Sequence, residues 1–216
     1  MIKTIEKILP RYAWFPLTSA VVLNILVYWG NRFITADMKH YDISSTIDNM
    51  IPFFAPMIVI YILSYISWAL GFVVIGRESK EVCYEVMSGE MIAKLICLAF
   101  FIIMPTTMIR PEVTGNGIFE WLTRFIYAMD SPDNLFPSIH CLESWICFRG
   151  AMRCKRVGNG YKVFMFISAI LVFASTVLVK QHVFVDIIGG VAAVEIGLCL
   201  AKIIKRKKCK GHERED

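Results

Sequence analysis

Long apolar runs follow one another along this chain of 216 residues, and charged residues are concentrated in the segments between them. A helix needs about 20 predominantly apolar residues to cross the hydrocarbon core of a bilayer. The hydrophobic share is 56%, above the roughly 45–50% of a soluble domain, and the mean hydropathy is +0.57. The sequence therefore predicts an all-α fold, a polytopic membrane helix bundle in which residues 1–216 form a single domain.

Six of these runs are predicted to be transmembrane helices, and a further segment is predicted to lie along the membrane surface. The predicted spans lie at roughly 13–30, 52–75, 91–109, 135–151, 162–180 and 183–204. The fourth of them is short and the sixth carries charge. Apolar side chains recur at helical spacing from Ile118 to Met129, with Trp121 and Tyr127 beside them. That pattern predicts a short interfacial helix between the third and fourth spans.

Lysine and arginine are unevenly distributed among the segments that join the predicted spans. They cluster before residue 12, between residues 149 and 162, and after residue 201, whereas segments 31–50 and 110–134 hold two each. Because short basic loops stay in the cytoplasm, both termini are expected to be cytoplasmic, in an integral protein of the plasma membrane. This topology also accounts for the net charge of +5, so the lipid bilayer is the expected partner and nucleic acid is not.

The seven cysteines include no Cys-x-x-Cys pair, so they indicate neither a zinc site nor a disulfide framework. Most of them lie in predicted spans or in basic loops, where a cysteine usually packs as a small apolar residue. The carboxylates likewise form no cluster with the spacing of metal ligands. The sequence therefore predicts no metal and no cofactor.

Three stretches that are far apart in the sequence carry polar residues at the outer ends of predicted spans. They are Arg110, then Ser138 and His140, and finally Lys180, Gln181, His182 and Asp186. The predicted topology places all three stretches at the same face of the membrane. Ionisable residues inside a membrane are rare and usually functional, so we expect these residues to form one site.

His182 and Asp186 are four residues apart, a spacing that places two side chains on one face of a helix. A carboxylate bonded to one imidazole nitrogen fixes the tautomer and makes the other nitrogen a better nucleophile or base. The alternative is a buried His–Asp pair that only ties two helices together.

Ser138 stands where the fourth predicted span begins. The first amides of a helix have no partner within the helix and face the positive end of its dipole, so they readily bind an anion. Ser138 either caps this helix only, or caps it and also offers its hydroxyl to a phosphate group.

The segments Pro-Ser-Ile-His at 137–140 and STVLVKQHVFVDIIGG at 175–190 resemble the type-2 phosphatidic acid phosphatase/haloperoxidase superfamily. The pattern of that superfamily is Lys-x6-Arg-Pro, then Pro-Ser-x-His, then Ser-Arg-x5-His-x3-Asp. Here the matching residues, in order and spacing, are Arg110-Pro111, Pro137-Ser138-Ile139-His140, and Ser175, His182 and Asp186. The resemblance covers residues 90–204, the expected catalytic core, and implies six spans with an outward-facing site.

Two positions depart from that pattern, because Ile103 stands in place of the Lys and Thr176 in place of the Arg. Lys94 is too distant to replace either, since sixteen helical residues separate it from Arg110 by roughly 24 Å. Lys180 is the better candidate. The form of the third motif looks more like the branch that contains inositol phosphorylceramide synthases, which moves a phosphorylated headgroup between lipids.

The resemblance implies a membrane lipid phosphatase that hydrolyses a lipid phosphomonoester or pyrophosphate at the extracytoplasmic face. In this scheme His182 attacks phosphorus and forms a phosphohistidine, Asp186 orients His182, and His140 protonates the leaving oxygen and then activates water or an acceptor hydroxyl. The residues implied to hold the phosphate oxygens are Arg110, Ser138, Ile139 through its backbone amide, and Lys180. The alternatives are a phosphotransferase with an alcohol acceptor and a lipid-binding or transport relative without chemistry.

Five other polar or small residues near the motifs are given weaker roles. Glu143 either orients His140 or bonds a neighbouring helix. Glu195 is expected to pack among buried polar groups, and Arg124 to contact headgroups or solvent. The pair Gly189-Gly190 is expected to let helices approach closely.

Overall fold

The computed structural model describes the backbone of residues 8–212 and the side chains of residues 8–207. The elements in chain order are α1 (Arg11–Ile25), a π-helical turn (Leu26–Gly30), α2 (Asn31–Thr35), β1 (Tyr41–Asp42), α3 (Thr46–Met50), a 3-10 turn (Ala55–Met57), α4 (Ile58–Glu78), α5 (Lys80–Ile103), β2 (Thr106–Thr107), α6 (Ile118–Met129), α7 (Ile139–Arg153), α8 (Asn159–Leu178) and α9 (Phe184–His212). The expected orientation of the termini rests partly on residues 1–7 and 213–216, which lie outside the described residues.

The predicted all-α class is confirmed, and five helical stretches are long and apolar enough to cross a membrane. These stretches are Arg11–Thr35, Ala55–Glu78, Lys80–Ile103, Asn159–Leu178 and Phe184–Lys207. The fourth predicted span corresponds to α7, which has 15 residues and is about 22 Å long, shorter than the roughly 30 Å core of a bilayer. The helix α6 forms where the interfacial helix was predicted. Its position at a membrane surface stays a prediction.

The boundaries predicted for the third span, 91–109, are wrong, because the helix begins at Lys80 and ends at Ile103. Its charged first half reads as a loop in the sequence but is helical. The side-chain oxygen of Ser79 caps this helix by accepting from the backbone amide of Val82 (3.2 Å). Partners on α7 and α9 neutralise the acidic residues that follow: Arg153 pairs with Glu85, and Lys205 with Glu81 and Glu85.

Small residues let α9 pack closely against its neighbours. A Cβ atom added at Gly190 would lie 2.6 Å from the carbonyl oxygen of Ser138, and one at Gly197 would lie 2.2 Å from that of Gly89. Neither position therefore accepts a larger residue without movement of the backbone. The predicted packing role of the glycine pair is confirmed, and Gly190 fixes the distance between α9 and the start of α7.

The loops at one end of the bundle are tied together by short strands. The strand β1 pairs in parallel with β2, with Tyr41 opposite Thr106 and Asp42 opposite Thr107. The hydroxyl of Thr106 accepts from the backbone amides of Leu135 (3.0 Å) and Phe136 (2.8 Å). These bonds hold the segment that leads into α7 in a fixed position.

A buried ionic cluster joins three helices in the middle of the bundle. The ammonium group of Lys94 contacts the carboxylates of Glu90 and Glu143, the latter at 2.8 Å, and donates to the carbonyl oxygen of Ala20 (3.2 Å). Of the two roles considered for Glu143, the bond to a neighbouring helix is the one observed. Lys94 thus links α1, α5 and α7 at a buried position.

The ionic cluster predicts that removing its cation lowers the free energy of unfolding more than removing one of its carboxylates. Lys94→Met leaves two buried carboxylates without a cation and should lower the free energy of unfolding by about 3–5 kcal/mol. The control Glu90→Gln leaves the Lys94–Glu143 pair intact and should cost clearly less. Thermal and denaturant unfolding of both variants in the same detergent gives the comparison. Equal stability of the Lys94→Met variant and the native protein would contradict the role of this cation.

Candidate active site

His182 lies in the turn between α8 and α9 and is held there by Asp186. Its Nδ1 is 3.0 Å from Oδ2 of Asp186, and the same oxygen accepts from the backbone amide of Val183 (3.1 Å). The side chain of Asp186 is fully buried. The helix begins at Phe184, so the pair does not share a helical face: Asp186 reaches back from the first turn of α9. Nε2 of His182 makes no hydrogen bond to any residue that the structure describes, and is therefore available to react.

The second histidine, His140, lies at the start of α7 inside a group of aromatic rings. Tyr61 stacks on it with ring centroids 4.3 Å apart, and the rings of Trp68 and Tyr65 lie at 5.3 and 5.6 Å. The ring of His182 faces it at a centroid distance of 5.8 Å. The structure thus brings together the two histidines that the sequence singled out.

The hydroxyl groups of two tyrosines are directed at the nitrogens of His140. The Tyr65 oxygen lies 3.1 Å from Nε2, and the Tyr61 oxygen lies 3.5 Å from Nδ1. Sequence reasoning missed these residues. A signal was present, because Tyr61, Tyr65 and Trp68 are spaced at i, i+4 and i+7 and so share one face of α4.

Ser138 caps α7, and it is fully buried. Its hydroxyl accepts from the backbone amide of Cys141 (3.2 Å), while its own amide donates to the carbonyl oxygen of Asp186 (3.1 Å). The backbone amide of Ser138 is therefore already used and is not available to an anion. The amides of Ile139 and His140, at the first two positions of the helix, have no acceptor among the described residues.

Arg110 approaches the same site from the loop after β2. Its guanidinium donates to the carbonyl oxygen of Asp130 and to the side-chain oxygen of Gln181, and it lies 4.6 Å from the ring centroid of Tyr127. Since Gln181 is adjacent to His182, Arg110 lies beside the proposed nucleophile, as predicted. Its Nε is buried and has no partner among the described residues.

Lys180 lines a cavity of about 450 Å³ together with Arg110 and His182. Its ammonium group donates to the carbonyl oxygens of Asp48 (2.8 Å) and Ile51 (2.6 Å), at the end of α3. Burial lowers its pKa, an effect that Asp48 partly opposes. Two of its three protons are thus used by backbone, and one remains. Its contribution to a phosphate site stays a prediction.

Asp48 connects the α3 loop to the start of α9, and the sequence did not reveal this role. One carboxylate oxygen accepts from the backbone amide of Phe184 (2.6 Å), and the other accepts from the amide (2.8 Å) and hydroxyl (2.6 Å) of Ser45. Burial raises the pKa of Asp48, but these hydrogen bonds outweigh it and hold that pKa below its usual value. The Ser45-x-x-Asp48 spacing predicts the local bonds of a capping box. It gives no sign of a contact 136 residues away.

Asp130 is a second residue that the sequence did not indicate. Its carboxylate accepts from Arg32 (2.9 Å) and from the hydroxyl of Tyr28. Tyr28 and Arg32 lie in and just after the π-helical turn of the first span, and such turns are frequent at functional sites. Asp130 lines the small cavity, about 20 Å³, that lies between His140 and His182.

A larger cavity of about 430 Å³ begins at His140 and has a mostly apolar wall. Besides Tyr65 and Asp130, its lining includes Trp29, Phe125 and Met129. The last two belong to α6, the helix whose polar and apolar sides are strongly separated. The site thus has a cavity of mixed polar and apolar lining on the His182 side and a mostly apolar one on the His140 side.

The two positions that depart from the superfamily pattern supply no charge in the structure. Ile103 ends α5 and is 79% exposed. Thr176 is fully buried, and its hydroxyl donates to the carbonyl oxygen of Phe173 (2.8 Å). Its own carbonyl oxygen accepts from the amides of Gln181 (2.9 Å) and His182 (3.1 Å), so Thr176 shapes the turn that carries His182.

Two other polar residues considered in the sequence lie apart from the histidines. Arg124, on α6, donates to the carbonyl oxygens of Val113 (3.0 Å) and Gly115 (2.8 Å) and so fixes the loop that precedes this helix. Glu195 pairs with Arg149 and accepts from the indole of Trp145 (2.7 Å). Both are used in contacts between chain segments.

Comparison of the chain with protein-family models, with curated proteins and with solved structures finds no match. The motif resemblance therefore stays a prediction. What the chain offers toward a function is the geometry of its own residues, above all the pair of facing histidines.

The Asp48 contact predicts a pH-dependent contribution to stability. Asp48→Ala removes the cap of α9 and should lower the free energy of unfolding by about 0.5–2 kcal/mol at neutral pH, while Asp48→Asn keeps one acceptor and should cost less. Because the folded pKa of Asp48 is below its usual value, its ionised form adds stability above pH ~4 that is lost as the pH falls further.

Unfolding in detergent at a series of pH values measures this effect. The difference between the native protein and the Asp48→Asn variant should shrink below pH ~4. A difference that stays constant down to acid unfolding would show that the charge of Asp48 adds nothing.

Proposed function

We propose that this chain is an integral membrane enzyme that cleaves a lipid phosphoester through a phosphohistidine on His182. The favoured reaction is hydrolysis of a lipid phosphomonoester or pyrophosphate. The observation that carries the proposal is the pair of facing histidines, of which one has its Nδ1 held by Asp186 and its Nε2 free. Nucleophilic catalysis requires a nucleophile, a group that orients it and a nearby acid or base.

In the first half of the reaction, Nε2 of His182 attacks phosphorus and the bond to the lipid oxygen breaks. Asp186 accepts the Nδ1 proton in a hydrogen bond and stabilises the positive charge that develops on the ring. His140, in its protonated form, supplies the proton that the leaving oxygen needs. In the second half, neutral His140 takes a proton from water, which attacks the phosphohistidine and releases phosphate.

The groups that would hold the phosphate oxygens come from the segments next to His182 and from the start of α7. They are the guanidinium of Arg110, the hydroxyl of Ser138, the free amides of Ile139 and His140, and the remaining proton of Lys180. Charge builds on these oxygens during transfer, so preoriented donors stabilise the transition state more than the bound substrate. Arg110 already bonds Gln181 and Asp130 and is therefore oriented before substrate binds.

The apolar cavity on the His140 side supports a lipid as the substrate. It lies where the leaving group must be, next to the proposed acid, and its wall is rich in aromatic and aliphatic side chains. An acyl or prenyl chain in this cavity would place its ester oxygen near His140. The helix α6 forms one side of the cavity and would receive lipid from the membrane surface.

Transfer to an alcohol is the second candidate, and the charge around the site favours it. Ile103 and Thr176 supply no cations, and Asp130, whose carboxylate accepts from Arg32, lines the small cavity shared by the two histidines. A site with few cations suits a phosphodiester, which carries one negative charge, better than a phosphomonoester with two. Product analysis with and without added alcohol acceptors separates hydrolysis from headgroup transfer.

The role of His182 predicts a complete loss of turnover on its removal. His182→Ala should abolish release of phosphate from a panel of phosphatidic acid, phosphatidylglycerophosphate and polyprenyl pyrophosphate, with the fold intact, because no other imidazole ring lies beside His140 among the described residues. His40→Ala is a matched control, since His40 lies in a loop and its one hydrogen bond among the described residues is to the carbonyl oxygen of Met38 (3.0 Å). Full activity of the His182→Ala protein would refute the mechanism.

We also propose that the site faces the extracytoplasmic side of the plasma membrane and that both termini are cytoplasmic. Impermeant thiol labelling of intact cells, on a background without native cysteines, measures this orientation. Asn116→Cys should react from outside, and Lys155→Cys should react only after the membrane is opened, because basic loops remain in the cytoplasm. The reverse pattern would place the site on the cytoplasmic face.

A further inference from the structure

We propose that Tyr65 is a further catalytic residue, which relays the proton from His140 to the leaving oxygen of the lipid. The inference rests on the proposed function and assigns a role to a residue outside all three motifs. Its basis is the position of the Tyr65 hydroxyl, 3.1 Å from Nε2 of His140 and on the wall of the apolar cavity.

His140 lines that cavity but presents little surface to a substrate in it. It is 5% exposed, with Tyr61 stacked on one face and Trp68 and Tyr65 against its edge. By contrast, Tyr65 is 51% exposed. Tyr65 therefore offers more accessible surface to a leaving oxygen in the cavity than His140 does.

The other nitrogen of His140 offers a weaker route. Nδ1 lies 3.5 Å from the Tyr61 oxygen, which is at the outer limit of a hydrogen bond. That oxygen lies 3.4 Å from Oδ2 of Asp130 and is fully buried with its ring. Tyr61 and Asp130 thus orient His140 from behind, and the Nε2–Tyr65 contact is the one that opens toward substrate.

The relay balances in both protons and electrons. Protonated His140 gives its Nε2 proton to the Tyr65 oxygen while the hydroxyl proton of Tyr65 passes to the leaving ester oxygen. The bond between phosphorus and that oxygen breaks, its electron pair stays with the oxygen, and the bond from His182 to phosphorus forms. The lipid alcohol leaves, Tyr65 is again a neutral phenol, and His140 is neutral and ready to act as the base.

The test compares two substrates that differ in one atom. Dioleoyl phosphatidic acid has an alkoxide leaving group that needs a proton, whereas its analogue with sulfur as the bridging ester atom releases a thiolate that does not. Single-turnover release of diacylglycerol or its thiol, in mixed micelles, isolates the first half of the reaction from the second.

Tyr65→Phe should slow release from the oxygen ester by about ten- to a thousandfold, part of what general acid catalysis typically contributes. It should slow release from the sulfur analogue by less than about threefold, because the proton is no longer required. The analogue also reports that the variant is folded and binds lipid. Tyr61→Phe is the matched control and should show a much smaller difference between the two substrates.

Equal losses with both substrates would make Tyr65 a structural residue and overturn the relay, as would the absence of any loss. If the native protein cleaved neither substrate nor any other member of the lipid phosphate panel, the proposed function itself would fail. The two failures are therefore distinguishable.

Discussion

The hydrogen bond between the imidazole of His182 and the carboxylate of Asp186 is the contact on which the rest of the site depends. It fixes which nitrogen of His182 is free, and it does so from the first turn of α9, a helix whose position is set by contact between Gly190 and Ser138. The carbonyl oxygen of Asp186 in turn accepts from the amide of Ser138, so the starts of α7 and α9 are bonded directly to each other. His140 lies at the start of α7 and His182 just before α9, so the bond between these two helix starts also fixes the distance between the two histidines.

Loops then hold the His182 turn from the outside. Asp48 caps α9, Lys180 bonds the end of α3, and Arg110 bonds Gln181, so the residues on both sides of His182 are fixed by partners from two different loops. This arrangement uses charged groups for positioning. Among the described residues, only Arg110 and a single proton of Lys180 then remain as cationic groups for phosphate binding. So few cations suit a phosphodiester with one negative charge, and for that reason transfer to an alcohol stands beside hydrolysis as a candidate reaction.

Much of the site could be predicted from the sequence because its residues stand at helix ends at characteristic spacings, as Ser138, His140, His182 and Asp186 do. The boundaries of α5 could not be predicted, because the acidic first half of this helix has the composition of a loop. Its charges are neutralised by Arg153 and Lys205, which are distant in the sequence. Asp48 and Asp130 act through contacts with distant parts of the chain, which local patterns do not encode. The role of Tyr65 could be predicted only in part. The sequence shows its helical spacing from Tyr61 and Trp68, but a stripe of aromatic residues on an apolar helix usually indicates packing.

The central claim is that phosphorus becomes covalently bound to His182. Rapid alkaline quenching during turnover of ³²P-labelled phosphatidic acid, followed by peptide mapping, measures this directly, because phosphohistidine is stable to base and labile to acid. The account predicts a transient label on the peptide that contains His182, absent from the His182→Ala protein. Turnover without label at any time point, or label on another residue, would contradict it.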